Sequence, residues 1–307
     1  MAFTDKLSFD MQRKARPYRT NRFQGTIYSD LPSSLAGVLD DPEQTEAVPG
    51  SRRVLNAKLR TIWEVPMPDG SAYFVHLFRD QRRRVVARIS KIHKLMRALQ
   101  IATFDIVAFG HESAGRSRLE FFIARKIPDA VSIPAGLGHR YEVVPEAHEV
   151  PEKLANSLAS FISDFHRKRI IHGDLKSRHI LIQNRSRLQM NAAMAASNGP
   201  EKSSHPWISR SPDPRFYLVD LEKTRRFWFL PEVFVDLLRV RDLIQLSASC
   251  SQLITNQQKI RFLRTYLRQL AVNARRRRTF YFVIRLYSDC DFRQGRTLLQ
   301  NLVATMR

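Results

Sequence analysis

Ionisable residues are concentrated in one short segment, residues 170–182, which reads IIHGDLKSRHILI. Two apolar runs flank its polar residues His172, Asp174, Lys176 and His179. A buried ionisable group needs a partner, so such residues between two apparently buried strands indicate a chemical role. A second segment, YLVDLEK, follows further along the chain and contributes Asp220.

Phosphoryl transfer uses these residue types. One carboxylate orients the attacking hydroxyl, a nearby ammonium meets the charge on the moving phosphoryl group, and further ligands hold Mg²⁺ on the triphosphate. We therefore expect Asp174, Lys176, His179 and Asp220 to face one cleft. Two plainer interpretations remain open: Asp174 and Lys176 are a solvated pair in a turn, and His179 is a hydrogen-bonded histidine of the core.

The elements that would position these residues change character along the chain. The segments LRTIWEV and SAYFVHLF flank PMPDG, a pattern that predicts a β-hairpin. Apolar residues at spacings of three and four predict a helix over residues 82–99, and FDIVAFG and RLEFFIAR are strand-like. A second helix is expected to begin near Pro151, RFYLVDLEK returns to strand, and residues from about 232 onward are predicted to be mainly helical.

This order predicts an α+β fold with a small strand-rich lobe and a larger, mainly helical lobe. The first 50 residues mix Pro, Ser and acidic residues without periodicity, which indicates a loosely ordered arm. The expected divisions are an arm at 1–50, an N-terminal lobe of antiparallel sheet plus one helix at 51–126, and a C-terminal lobe at 127–307. The C-terminal lobe contains the loop 170–182, a polar insertion at 184–214 predicted to be disordered, and a basic helical extension at its end.

Charge restricts the partners. The 307 residues carry a formal net charge of +22, which attracts anions such as a nucleotide, nucleic acid or an acidic membrane surface. A protein that is basic only for solubility would show the same charge. Two cysteines form neither a disulfide framework nor a zinc set, which favours a reducing compartment. The most apolar window, FWFLPEVFVDLL, is too short and too charged to span a bilayer.

The quoted motifs resemble those of the protein-kinase-like superfold, with HGDLKSRHILI similar to its catalytic loop and VDLEK at the place of its metal-binding Asp motif. The closer resemblance is to the Kdo/WaaP family of lipopolysaccharide core kinases. It rests on ordered stretches including YFVHLF, IATFDIVAFG, DFHRKRIIHGDLKSRHILI and RDLIQLSAS, over about residues 50–270. The histidine at position 179, where protein kinases carry Asn, is a trait of this family. The resemblance implies a two-lobed protein-kinase-like fold.

The resemblance also implies roles for particular residues. Asp174 would be the catalytic carboxylate and Lys176 would steady the γ-phosphate as a point charge. Asp220 would hold Mg²⁺ with His179 beside it, although imidazole is a poor ligand for Mg²⁺ and His179 could instead hydrogen-bond the nucleotide or Asp174. His172, in the catalytic motif, would be structural and hydrogen-bond the backbone around it, as would Asp242 at the start of a later helix. His76, Lys58 and Ala124 are implied for the nucleotide. The implied cofactors are ATP and Mg²⁺.

The sequence departs from the kinase pattern in the smaller lobe. Kinase-like folds place a Lys on the third strand and pair it with a Glu on the next helix. Here that strand position holds His76, and residues 81–104 contain no acidic residue. No G-x-G-x-x-G loop occurs there either. Either another cation, Lys58 or Arg79, has taken the role, or the protein binds nucleotide but scarcely turns over.

The acceptor is expected to be compact, because only 22 positions separate Asp220 from Asp242 and leave little room for a peptide platform. The resemblance implies a Kdo or heptose hydroxyl of the lipopolysaccharide core, an anionic glycolipid at the cytoplasmic face of the inner membrane. Arg82–Arg84 and Arg275–Arg278 would attract that surface, giving peripheral membrane association, and no nucleic acid partner is expected. The alternatives are a pseudokinase that binds an anionic glycolipid or nucleic acid, and a small atypical protein kinase.

Overall fold

The computed structural model describes residues 15–28, 31–79, 84–113, 119–136, 152–183, 214–250 and 254–289. The chain divides into two compact units. The N-terminal unit comprises residues 1–98 and 103–128, and the C-terminal unit comprises residues 99–102 and 129–307.

A seven-stranded antiparallel sheet forms the N-terminal unit. Its strands are β1 (Arg16–Arg19), β2 (Phe23–Ile27), β3 (Arg52–Ala57), β4 (Arg60–Pro66), β5 (Ala72–Phe78), β6 (Asp105–Glu112) and β7 (Glu120–Arg125), in the spatial order β1-β2-β6-β7-β5-β4-β3. Strands β4 and β5 form the hairpin that the sequence predicts, and its register places Ile62 opposite His76. Apolar residues alternate along the strands, so each face of the sheet buries its own set of side chains.

The predicted loosely ordered arm is wrong for the described residues between 15 and 50. Strands β1 and β2 extend the sheet through β6, and helix α1 (Ala36–Asp40) lies between two short 3₁₀ helices, Ser33–Leu35 and Pro42–Ala47. Phe23, Leu35 and Val38 are buried in the same core as the strand residues. The sequence hides this order because the elements are too short to show a period, and tertiary contact stabilises them.

Helix α2 (Val85–Ala98) contacts β6 and β7. The Glu120 carboxylate accepts a hydrogen bond from the Val86 backbone N–H at 2.8 Å and so satisfies one free donor at the start of this helix. His93 stacks on Phe104 and shares a 2.8 Å hydrogen bond with its carbonyl. Burial is the main cause of the lowered pKa of His93, about 4, so this ring is neutral and structural.

The C-terminal unit is mainly helical. Its helices are α3 (Ile133–Gly136), α4 (Glu152–Arg167), α5 (Glu232–Ser249), α6 (Asn256–Gln269) and α7 (Ala274–Asp289). Its strands are β8 (Ala130–Ser132), β9 (Ile170–Ile171), β10 (Ile180–Gln183), β11 (Arg215–Leu218) and β12 (Arg225–Arg226), which form the small sheets β11-β10-β8 and β12-β9. A complete capping box at Thr255 and Gln258 begins α6.

The predicted α+β class, with a strand-rich N-terminal part and a mainly helical C-terminal part, is confirmed. The predicted insertion at 184–214 lies outside the described residues except for residue 214, as do Arg82, Arg83 and the chain end from residue 290. Helix α7 is the described part of the predicted basic extension. Within the described chain, none of the helices combines the length and apolarity needed to cross a membrane.

Candidate functional site

Short strands hold both ends of the polar segment in the C-terminal unit. Strand β9 pairs with β12 at one end, and β10 pairs with β11 at the other. Gly173 lies between them with φ of +78°, and a β-carbon there would approach the Lys223 carbonyl oxygen to 2.8 Å. Glycine is therefore required at this turn for both its conformation and its lack of a side chain.

A buried carboxylate fixes the backbone of the loop. Asp242 is fully buried and accepts hydrogen bonds from the backbone N–H groups of His172 and Gly173, at 2.7 and 2.9 Å. It lies in the middle of α5, not at the start of a helix as the sequence suggested. The predicted supporting contact with the motif backbone is present.

His172 ties the loop to the segment that carries Asp220. Its ring is fully buried, and Nε2 donates to the carbonyl of Val219 at 2.9 Å. Because Nε2 carries the proton, Nδ1 is an acceptor in the neutral ring. His172 thus contacts the residue directly before Asp220, which favours a positioning role over a chemical one.

Asp174 lies between two ammonium groups. Lys176 Nζ is 2.9 Å from its Oδ1, and Lys223 Nζ is 3.1 Å from its Oδ2. Burial alone would raise the pKa of Asp174, but hydrogen bonds and charge from Lys176 and Lys223 outweigh it and lower the pKa to about 2. The carboxylate is therefore ionised throughout the physiological range.

His179 is held in one tautomer. Its Nδ1 lies 2.8 Å from the backbone carbonyl of Asp174, which only accepts, so Nδ1 carries the proton. Burial is the largest influence on the ring and lowers the pKa of His179, which leaves Nε2 unprotonated at neutral pH. This Nε2 accepts from Arg178 Nε at 3.2 Å and faces Asp220 Oδ2 at 3.4 Å.

Asp174, His179 and Asp220 come together in the C-terminal unit, with one potential ligand atom from each within 4.8 Å of the others. Asp220 has a φ of 62°, in the left-handed region that Asp tolerates better than most residues. Two carboxylates and an imidazole nitrogen at these distances offer three ligand atoms to a divalent cation. Carboxylate oxygens suit Mg²⁺ and Mn²⁺, while the imidazole shifts the preference away from Mg²⁺.

The residues implied for nucleotide binding lie in the N-terminal unit. His76 stacks on Phe122 with ring centroids 4.2 Å apart, and buried Ala124 lies on the same face of β7, two residues from Phe122. Burial and then the charge of Arg60 lower the pKa of His76 well below its ordinary value, so the ring is neutral. Lys58 is exposed in the turn between β3 and β4, and Arg79 donates to Thr61 and Glu43.

Sequence reasoning missed Arg60, the cation beside His76. Its Nη2 donates to His76 Nδ1 at 3.2 Å. The hairpin register places Arg60 opposite Phe78 and therefore diagonal to His76, so the predicted hairpin could have revealed it. Lys223 was also missed, although it lies only three positions after Asp220 in DLEK.

Comparison with known proteins gives a match to one family model and many similar solved structures. Residues 71–196 match the model of the lipopolysaccharide kinase (Kdo/WaaP) family, which confirms the resemblance stated from the sequence. That range includes Asp174, Lys176 and His179 but ends before Asp220. No curated protein matches the chain.

Two of these solved structures share little sequence with the chain. The structure titled WaaP in complex with acyl carrier protein has 21% identity and a TM-score of 0.49, and the match covers 78% of this chain and 93% of that one. An aminoglycoside-3'-phosphotransferase of type VIII has 12% identity and a TM-score of 0.47, and the match covers 81% of this chain and 97% of that one.

Proposed function

We propose that this protein is an ATP-dependent kinase that phosphorylates a sugar hydroxyl, on Kdo or heptose, of the lipopolysaccharide inner core. The observation that carries the proposal is the convergence of Asp174, His179 and Asp220 in the C-terminal unit. The Kdo/WaaP family match supports a kinase of the lipopolysaccharide type and includes two of these three residues. The substrate and the use of ATP belong to the proposal.

Asp174 acts by orientation in this proposal. A carboxylate with a pKa of about 2 is too weak a base to remove the proton of a sugar hydroxyl before the phosphoryl group moves. It can accept a hydrogen bond from that hydroxyl and align its oxygen with the γ-phosphorus. His172 and Asp242 keep the carboxylate in place through the loop backbone.

Lys176 and Lys223 supply positive charge near the reacting groups. Both contact Asp174, and their side chains remain 34% and 57% exposed, so their ammonium groups remain accessible to a phosphate. The transition state of phosphoryl transfer spreads charge over the three equatorial oxygens, which two point charges would stabilise.

Asp220 and His179 would hold the divalent ion, which when bound neutralises charge on the triphosphate. Asp220 provides an anionic oxygen, and the proton on His179 Nδ1 leaves Nε2 unprotonated. Its lone pair accepts from Arg178 Nε, and a bound ion would take the place of that hydrogen bond. We assign His76, Lys58 and Ala124 to the nucleotide, with Arg60 as the fixed cation next to His76.

The missing Lys and Glu pair favours a second candidate, a pseudokinase that binds an anionic glycolipid without turnover. A neutral His76 cannot replace a fixed ammonium on the phosphates. Arg60 favours the active kinase instead, because its guanidinium beside His76 provides a permanent charge on the same hairpin.

The test is incubation with γ-labelled ATP, Mg²⁺ or Mn²⁺, and purified core oligosaccharide. Label on the sugar is expected, and it should disappear in Asp174→Asn but persist in Asp164→Asn, a variant of a half-exposed carboxylate in the same unit. Label on protein would instead identify the atypical protein kinase. No transfer to either acceptor, with nucleotide still bound, would identify the pseudokinase.

A further inference from the structure

The segment Arg225–Pro231, here the aromatic loop, exposes large apolar side chains. Trp228 and Phe229 are 71% and 64% exposed, the highest fractions among the large hydrophobic residues that the structure describes. Val233, two residues after the loop and separated from it by Glu232, is 56% exposed. A contiguous apolar group of this kind on a charged protein marks an interaction surface.

Arg169 holds the aromatic loop in a defined shape. Its guanidinium donates to the carbonyls of Trp228 and Leu230 at 2.8 and 2.6 Å, and its own carbonyl accepts from the Phe227 N–H at 2.9 Å. The Trp228 and Phe229 rings also contact each other edge to face, with centroids 5.8 Å apart. The exposed rings are thus already ordered, which lowers the entropic cost of binding a partner.

The loop carries exposed positive charge. Arg225 and Arg226 form strand β12 and are both exposed, and within the described part of the chain neither makes an ion pair with an acidic group. Glu232, which follows the loop, is engaged by Arg169, Arg239 and Arg276. The aromatic loop therefore carries two exposed arginines next in sequence to its aromatic residues, with no ion pair to a carboxylate among the described residues.

We infer that the aromatic loop binds an anionic lipid surface. Trp and other aromatic side chains favour the level of the lipid head groups, and adjacent arginines add attraction to anionic lipids. Successive bases of a single-stranded nucleic acid stack on aromatic faces, and two rings that meet at 81° do not offer parallel faces to two stacked neighbouring bases. Exposed Val233, two residues after the loop, also favours an apolar medium over a polyanion.

The loop is connected to the candidate active site through backbone pairing. Arg225 and Arg226 pair with Ile171 and Ile170, and His172, Gly173 and Asp174 follow that strand along the chain. A surface bound by the loop would present its head groups to the same unit that carries the carboxylates. The inference extends the proposed function, because it names the surface on which a lipid-linked acceptor would be met.

The experiment measures binding of the full chain to vesicles, without nucleotide, so it does not depend on catalysis. Vesicles of phosphatidylglycerol and phosphatidylcholine are compared with phosphatidylcholine alone, and tighter binding to the anionic vesicles is expected. Trp228→Ser should weaken binding at least tenfold, since the ring leaves water on binding. Phe229→Ser should weaken it too, while the matched control Phe282→Ser, a residue 63% exposed on α7, should not.

The charge contribution has its own pair of variants. Each arginine near an anionic surface contributes about 1 kcal/mol, or about fivefold, so Arg225→Gln with Arg226→Gln should weaken binding about 30-fold at low salt. Arg261→Gln with Arg264→Gln removes the same charge from exposed positions on α6 and should have a smaller effect. Equal losses in both pairs would show that net charge alone draws the protein to vesicles.

A fluorescence measurement keeps the inference testable if a loop variant fails to fold. In Trp207→Phe the remaining tryptophans are Trp63, buried in the N-terminal core, and the exposed Trp228. Anionic vesicles should shift the emission to shorter wavelength. The inference would be overturned if the emission did not shift, or if Phe229→Ser and Phe282→Ser weakened vesicle binding equally. It would also be overturned if a short oligonucleotide displaced the vesicles. Vesicle binding without labelled sugar would refute only the proposed kinase activity. Labelled sugar without vesicle binding would refute only the inferred lipid-binding surface.

Discussion

Replacement of Asp242 by Asn tests whether one buried carboxylate fixes the catalytic loop. The side chain is fully buried, and its two oxygens each accept a backbone N–H, from His172 at 2.7 Å and from Gly173 at 2.9 Å. Asn has nearly the same shape but only one acceptor oxygen. In Asp242→Asn one of these N–H groups must therefore face an amide N–H₂, a donor against a donor.

The size of the effect follows from these contacts. The lost hydrogen bond to a charged acceptor contributes about 2 kcal/mol, and a buried N–H left without an acceptor costs about 1 kcal/mol or more. The sum is a loss of about 3 kcal/mol in the free energy of unfolding. For a unit of this size the unfolding midpoint should fall by about 6–12 °C. Phosphoryl transfer should fall further than stability alone explains, because the same backbone carries Asp174.

Thermal unfolding and labelled-phosphate transfer on the same samples provide the measurement. Asp164→Asn is the control, since Asp164 is 43% exposed and pairs with Lys168 on the surface of α4, where a lost pair costs about 0–1 kcal/mol. Nucleotide binding should survive at temperatures where Asp242→Asn is folded. If Asp242→Asn lowered the midpoint no more than Asp164→Asn, the assignment of Asp242 as the anchor of the loop would be refuted.

Three further predictions concern the charged groups. Asp174→Asn should abolish transfer while nucleotide binding by calorimetry stays nearly unchanged, because Asp220 still recruits the metal; turnover at the wild-type rate would give Asp174 another role. Lys223→Met should raise the pKa of Asp174 from about 2. Stability that depends on a lowered carboxyl pKa is lost as pH falls through that pKa, so the acid loss of stability and the acid limb of the activity–pH profile should both move to higher pH. An unshifted profile would show that Lys223 does not act in the site. His76→Lys places a second cation beside Arg60, whose Nη2 is 3.2 Å from the His76 ring. The variant without nucleotide should therefore melt at a lower temperature, and ATP should raise its melting temperature more than that of the wild type. Unchanged ATP stabilisation in both His76→Lys and His76→Ala would exclude position 76 from the nucleotide site.

The strand-rich half of the fold was predictable where local pattern and tertiary structure agree. The PMPDG turn between two alternating segments gives β4 and β5, and apolar spacing gives α2 over Val85–Ala98. The first described residues were not predictable in this way. Phe23, Leu35 and Val38 lie on elements of three to five residues, and only the shared core shows why they are ordered.

The site divides along the same line. Asp174, Lys176 and His179 occur in one contiguous segment, so their proximity follows from the chain itself. Lys223 and Asp242 reach that segment through tertiary contacts, and their distances could come only from the structure.

Basic residues illustrate the same limit. The sequence predicts that the run Arg275–Arg278 attracts an anionic surface, and Arg275, Arg277 and Arg278 are exposed. Arg276 differs, because it pairs with Asp236 at 2.8 Å and with Glu232 at 3.0 Å. A run of identical residues does not reveal which one turns toward the helix packed beside it.

The most direct test of the central claim is titration with Mn²⁺ followed by electron paramagnetic resonance, in the presence of a non-hydrolysable ATP analogue. We expect one tightly bound Mn²⁺ per chain, with affinity weakened at least tenfold in Asp220→Asn and retained in Asp164→Asn. Mn²⁺ binding should also weaken in His179→Ala. In the wild type it should weaken as pH falls through the pKa of His179, which burial lowers below its ordinary value, because protonation removes the Nε2 lone pair. Mn²⁺ bound as tightly by Asp220→Asn as by the wild type would contradict the assignment of Asp220 as a ligand of the metal ion.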